Sequence, residues 1–391
     1  MDMQAMLTAA EAETGLHDWG DSSFHTAFSV LLKSIAEEVQ LSSTGRRALE
    51  SRFNLLLTNR LKLFEDRKRF PEIADEEIRR PIFITGLPRS GSSFLIDVLA
   101  QDPANRVVRT WEILQPSPPP EEASYATDPR IAMVQHILED QGFTNPETMA
   151  AHPFDARLPE ECNFIFEHTF ESSNFNGYMN AWSYTKWLQR ESDPASVYRF
   201  HRMFLQHLQS RFGRARFVLK APAHMYQLQA LLTEYPDALI VQTHRDLMKV
   251  LPSIGSFAAA LRNQFCAPST VDPIDIGRSI IHQLVHGVRH VMSVRERVGK
   301  PERFHDLLYA DLSRDPMAAI DRLYAHFGLP LTDKAREAMA LFIRGEANAR
   351  HGHGRHKYAM ADYGFTETEI DEMLGDYIKQ YSVPKEAVAS E

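Results

Sequence analysis

Cysteine is nearly absent from this 391-residue sequence: Cys162 and Cys266 are the only two, and no CxxC pair exists. A cysteine-built metal site is therefore not expected. One disulfide between them is allowed, but two free thiols in a reducing compartment is the favoured reading. Long apolar runs are also missing, since no window approaches the ~18 unbroken apolar residues of a membrane span. The N-terminal stretch MDMQAMLTAAEAETG has acids and no apolar centre, so it does not read as a signal peptide and the expected location is the cytoplasm. Positive charge is in deficit: 43 Lys plus Arg stand against 52 Asp plus Glu, a formal balance of −9. That excludes the basic field that general nucleic-acid binding needs, though not a small basic pocket. HExxH, G-x-S-x-G and G-x-G-x-x-G are absent too, which removes the main support for a metalloprotease, a lipase-type hydrolase or an NAD dehydrogenase. His351, His353 and His356 have no carboxylate or cysteine company, so no metal is assigned to them.

What is present falls into blocks. Residues 1–80 show helical apolar spacing in FHTAFSVLLKSIAEEV and RRALESRFNLLLTNRLKLFEDRKRF, with Pro71 closing the second run; they predict an N-terminal helical extension. From residue 81 the pattern turns to short runs rich in β-formers: PIFIT, RVVRT at 106–110, ARFVLK at 215–220, ALIVQTH at 238–244 and, more weakly, RFHDLLYA at 303–310. Helical stretches separate most of them, which predicts βαβ units and an α/β fold with a parallel sheet flanked by helices. A long insertion spans about 115–213, opening with the stiff QPSPPPEE and continuing rich in aromatics. It predicts either a lid or substrate pocket, or a helical side layer with its own core. Residues 273–298 predict one long helix, and 331–391 a C-terminal helical segment with the basic loop NARHGHGRHKY packed on an 81–330 core.

In an open parallel sheet, ligands bind beyond the carboxyl ends of the strands. After the first run comes Gly86-Leu-Pro88-Arg89-Ser90-Gly91-Ser92-Ser93; after the second, Trp111 and Glu112; after the third, Lys220 and, four residues on, His224; after the fourth, His244, Arg245 and Asp246, with Ser253 eight residues past the arginine. Two glycines let the backbone aim successive N–H groups at an anion, and the following helix adds its positive end. A Walker loop would carry Lys where Ser92 stands, to reach phosphates beside Mg²⁺. Here the cation lies inside the loop, at Arg89. A serine-capped strand-to-helix turn is the plain alternative, and two glycines, an arginine and three serines weigh against it.

The segment PRSGSS, followed by a helix and QDP, resembles the 5′-phosphosulfate loop of sulfotransferases that use 3′-phosphoadenosine 5′-phosphosulfate (PAPS), which carry PKSGTT or PRSGTT there. Arg245 and Ser253 match the spacing of the pair that binds the nucleotide's 3′-phosphate in that family. Tyr309, Asp311 and Leu312 with Asp315 and Pro316 look like its YEDL…DP segment. The likeness covers about 81–330, and the N-terminal helices and the DPR at 128–130 look like one bacterial subgroup. Ser92 and Ser93 replace Thr-Thr but keep hydroxyls, Leu247 stands where Pro is frequent, and RKGxxG is not matched literally. Arg350, Arg355 or Lys357 of the C-terminal basic loop would close over the nucleotide on this likeness, or the loop is simply a solvated basic segment. A P-loop kinase of nucleotides or small molecules and a non-catalytic nucleotide-binding protein are the rival classes.

The resemblance implies PAPS as cosubstrate, 3′-phosphoadenosine 5′-phosphate (PAP) as product, and no metal; the aromatic insertion suggests a bulky or apolar acceptor, a small-molecule or lipid-like hydroxyl, unless its aromatics are core. A homodimer is compatible with it. Transfer of this kind is positioning plus charge stabilisation: Arg89 and the loop N–H groups hold the phosphosulfate, and Lys220 neutralises the leaving oxygen. A base must take the acceptor proton. Glu112 looks like the catalytic Glu of tyrosylprotein and heparan sulfotransferases and His224 like the catalytic His of cytosolic ones; Glu112 is preferred. Glu160, Glu161, His152 and Asp155 are candidates for the acceptor pocket, or ordinary surface charges and caps.

Overall fold

The computed structural model describes residues 1–145, 149, 153–349 and 359–386. They form two compact units, one of Met1–Ile78, Val108–Arg214 and Ala258–Val271, the other of Arg79–Val107, Ala215–Phe257 and the chain from Asp272 onward.

The second unit holds the sheet. Five parallel strands, β1 (Ile82–Gly86), β2 (Asn105–Arg106), β3 (Arg216–Lys220), β4 (Leu239–His244) and β5 (Phe304–Leu308), lie in the order β2-β3-β1-β4-β5. β1 is central, with Ile84 opposite both Lys220 of β3 and Val241 of β4. Every residue of β1 and β4 is buried, as expected of parallel strands covered on both faces. The connection leaving β1 runs to one side of the sheet and the one leaving β4 to the other, so a crevice opens between their C-terminal ends. Ile82, Ile84, Val218 and Val241 join Leu95, Val98, Leu99, Ile320 and Leu323 of flanking helices in one core, each contributing about 1.5–3 kcal/mol when fully buried. Polar residues on β4 are met: Arg295 Nη1 donates to Gln242 Oε1 at 2.8 Å, and His244 lies between Tyr377 Oη (2.8 Å) and Asp306 Oδ1 (2.9 Å). Burial works to raise the Asp306 pKa, but hydrogen bonds from Arg295 and His244 outweigh it and hold the carboxyl below its usual range.

Four of the five strand-like runs form the strands expected of them, and 273–298 is one helix, Pro273–Val298. RVVRT differs: pairing to β3 covers only Asn105 and Arg106, and the chain then leaves the sheet for the helix Thr110–Leu114. Val107 is apolar because it packs into the core, not because it extends the ladder.

The first unit is helical among its described residues. Asp2 caps Met3–Thr14 by accepting from the Ala5 N–H, and Ser42 caps Ser43–Arg69 by accepting from Gly45, as short polar side chains do at helix starts. Phe24, Phe28, Phe53, Phe170 and Phe175 stack and tilt against one another, all fully buried. The aromatic insertion therefore builds the core of this unit, with Tyr178, Tyr184 and Tyr198 buried beside them. Two arginines of Ser43–Arg69 are buried as well. Arg52 pairs with Glu167 at 2.7 Å, and Glu167 also accepts from Asn174 and Tyr178. Arg60 donates to the carbonyls of Trp19, Asp21 and His168 and lies over the Phe24 ring. Both cysteines are buried and form no disulfide with each other. Among the described residues no helix is long and apolar enough to cross a membrane.

Candidate active site

β1 ends in Gly86, and the loop 86–91 leads into the helix Ser92–Leu99. Three loop residues have positive φ: Gly86 (119°), Arg89 (63°) and Gly91 (88°). For arginine this left-handed geometry costs about 1–2 kcal/mol, strain of a kind that collects at ligand sites. A Cβ on Gly86 would stand 2.3 Å from the Thr243 carbonyl oxygen, so no side chain fits between β1 and β4 there. Gly86→Ala is expected to cost about 2–4 kcal/mol by urea denaturation; wild-type stability in that variant would show that the loop relaxes freely.

Hydroxyls hold the loop from below. Buried Ser90 Oγ lies 2.6 Å from Thr243 Oγ1, and Thr243 reaches the Thr85 carbonyl at 3.0 Å. From above, Arg89 Nε donates to Ser253 Oγ at 3.1 Å. Ser253 lies buried in the helix Leu247–Phe265. Arg245 Nη1 donates to the Arg89 carbonyl at 2.8 Å, and its guanidinium sits 3.9 Å over the Tyr309 ring. Lys220, at the end of β3 and 1% exposed, donates from Nζ to Ser93 Oγ at 3.2 Å. The structure thus brings together Gly86, Arg89, Ser90, Gly91, Ser93, Lys220, Arg245, Ser253 and Tyr309, with half-buried Pro88 and buried Ser92 in the same loop. Two anion-suited clusters result: a loop with its helix terminus and lysine, and an arginine–serine pair backed by an aromatic ring.

His224 belongs to the same unit. It lies in the 3₁₀ turn Pro222–Tyr226 after β3, fully buried, with Phe83 edge-on at 5.0 Å. Glu112 belongs to the other unit, in the helix Thr110–Leu114. Its Oε2 accepts from the Arg109 backbone N–H and from Tyr125 Oη, both at 2.8 Å. Trp111 beside it packs on Tyr125 and under Arg130. Glu112 thus closes the start of its own short helix, and its carboxylate is held in one orientation. Glu160 is buried and accepts from the Glu161 N–H, while Asp155 accepts from the Arg157 N–H, which is local turn capping. His152, Arg350, His351, His353, Arg355, His356 and Lys357 lie outside the described residues.

The Sulfotransferase family model matches residues 81–333. This chain belongs to the sulfotransferase family. Along 271 residues, 64% of its length, this sulfotransferase-family chain is 27% identical to omega-hydroxy-beta-dihydromenaquinone-9 sulfotransferase Stf3 of Mycobacterium bovis and Mycobacterium tuberculosis. The chain spans 63% of the length of those curated relatives. Among solved structures, sulfotransferase STF1 from Mycobacterium tuberculosis superposes with a TM-score of 0.85 at 29% identity, covering 96% of this chain and 99% of that one. Sulfotransferase STF9 from Mycobacterium avium gives 0.89 at 26% identity, covering 99% and 98%. The parallel sheet flanked by helices is the fold those structures share with this family member.

Two residues of the site carry no signal in the sequence reading. Thr243 precedes two polar residues at the end of β4 and looks like ordinary strand filling; only the register Gly86↔Thr243 shows that it faces the loop. Glu386 meets Arg245 from 141 positions away, in a tail with no motif.

Proposed function

We propose that this chain transfers a sulfuryl group from PAPS to the hydroxyl of a small, lipid-like acceptor. The observation that carries this is the meeting of Arg89 with Ser253 and of Arg245 with the Arg89 carbonyl: the loop and the arginine–serine pair form one continuous surface for a ligand with two anionic ends. The donor set fits such a ligand, since each cluster has a cation, hydroxyls and, in the loop, backbone turned by positive φ. PAPS, when bound, supplies a sulfuryl group activated by its linkage to phosphate.

The residues then divide the work. The loop backbone from Gly86 to Ser93, with Arg89, orients the 5′ end; Arg245, Ser253 and Tyr309 hold the 3′ end and so fix the register of the nucleotide. The buried ammonium of Lys220 stands beside Ser93, where it stabilises charge that develops on a leaving oxygen. Water exclusion around a 1%-exposed lysine strengthens that interaction relative to bulk solvent. Glu112, oriented by Arg109 and Tyr125, takes the acceptor proton; His224 is the other group suited to do so. The acceptor class is supported by the relative named for omega-hydroxy-beta-dihydromenaquinone-9. Most of the insertion's aromatics add nothing to it, because they are spent on core packing.

The test is thermal unfolding, with EDTA present for PAP and no chelator for ATP with Mg²⁺. PAP at a hundredfold excess over its Kd is expected to raise Tm by roughly 3–4 °C, and ATP with Mg²⁺ to leave it unchanged. Stabilisation by ATP–Mg²⁺ and none by PAP would overturn the assignment.

A further inference from the structure

The C-terminal tail places a carboxylate on the arginine assigned to the nucleotide. Arg245 donates from Nε to Glu386 Oε1 at 2.7 Å and from Nη2 to Glu386 Oε2 at 3.0 Å. This is the two-pronged geometry in which a guanidinium grips carboxylate or phosphate. The contact is built, not incidental. The helix Glu367–Gln380 ends with Ser382 at φ 49°, and the Val383 N–H bonds back to the Ile378 carbonyl at 3.0 Å. This is the left-handed stop that reverses a chain after a helix. Val383 is buried, the Glu386 N–H donates to Asp246 Oδ2 at 2.7 Å, and Tyr377 and Tyr381 anchor the helix on His244, next to Arg245, by a hydrogen bond and by ring stacking at 4.4 Å.

We propose that Glu386 is an intramolecular competitor for the 3′-phosphate on Arg245, so that the tail sets how tightly 3′-phosphorylated nucleotides are held. This rests on the assignment of Arg245 to the 3′-phosphate. A monoanionic carboxylate at neighbouring ionic groups about one-quarter exposed is a weak occupant, and a phosphomonoester of higher charge displaces it. Only the fraction of molecules with the tail released can offer Arg245 to phosphate, which raises the apparent Kd in proportion. A nucleotide without a 3′-phosphate does not need Arg245 and is indifferent to the tail. Donor and product share the 3′-phosphate, so both meet the same competition.

Calorimetric titration with PAP and with adenosine 5′-phosphate tests this on the full chain. Glu386→Gln keeps the shape and removes the charge; it is expected to tighten PAP roughly 3- to 20-fold and to leave adenosine 5′-phosphate unchanged. Glu386→Ala is expected to do the same, and in an Arg245→Ala background the gain should vanish. Unchanged or weaker PAP binding in both Glu386 variants, with Arg245→Ala still costing affinity, would overturn the competitor and leave the site assignment standing. Equal tightening of both nucleotides would also overturn it. PAP binding that is insensitive to Arg245→Ala would overturn the site assignment itself.

Discussion

Lys220→Met is expected to lower kcat for sulfuryl transfer about 10²- to 10³-fold while PAP affinity stays within about threefold. Methionine approximates the volume of the buried stem, so the packing at the end of β3 survives and the lost quantity is the ammonium beside Ser93. A group that acts on charge developing at the leaving oxygen contributes little to holding the product, which is why the loss should fall on kcat rather than on binding. Single-turnover kinetics with labelled donor measure this directly. A variant retaining kcat within about threefold of wild type would remove Lys220 from the chemical step.

The second large effect concerns the base. Glu112→Gln is expected to reduce kcat about 10²- to 10⁴-fold with PAP binding and Tm nearly unchanged, because glutamine can still accept from the Arg109 N–H and Tyr125 hydroxyl. His224→Gln is expected to lose stability first: the ring is fully buried against Phe83 in the turn that follows β3. The two variants separate the candidates when turnover is compared with melting temperature. If a folded His224→Gln protein loses turnover while Glu112→Gln keeps it, the proton goes to the histidine.

The sheet was legible because central parallel strands leave a plain trace: unbroken runs of β-branched and aromatic residues, ended by glycine or by polar residues at the C-terminal edge. PIFIT and ALIVQTH have it and become β1 and β4. RVVRT has the composition but not the pairing, since an edge strand next to one neighbour stops when the chain turns away. The meeting of Arg89 with Ser253, 164 positions apart, could be anticipated from strand-end logic, as could that of Lys220 with Ser93. Buried charge was not legible. Arg52 and Arg60 sit in a run whose apolar spacing predicts a helix but names no partner for its charges, yet Glu167 and a set of carbonyls meet them inside the first unit. Composition reports that a charge exists; only tertiary partners show whether it can be buried. The same holds for the aromatic insertion, whose phenylalanines, Phe212 apart, turned out to be core.

Tyr309 has one further consequence. Its ring packs directly on the loop, since a Cβ on Gly91 would lie 2.9 Å from Tyr309 Cδ2, and its face supports the Arg245 guanidinium at 3.9 Å. One rigid planar group therefore braces both the Gly91 end of the loop and the Arg245 guanidinium, so exchanging it for a smaller side chain would loosen both supports at once.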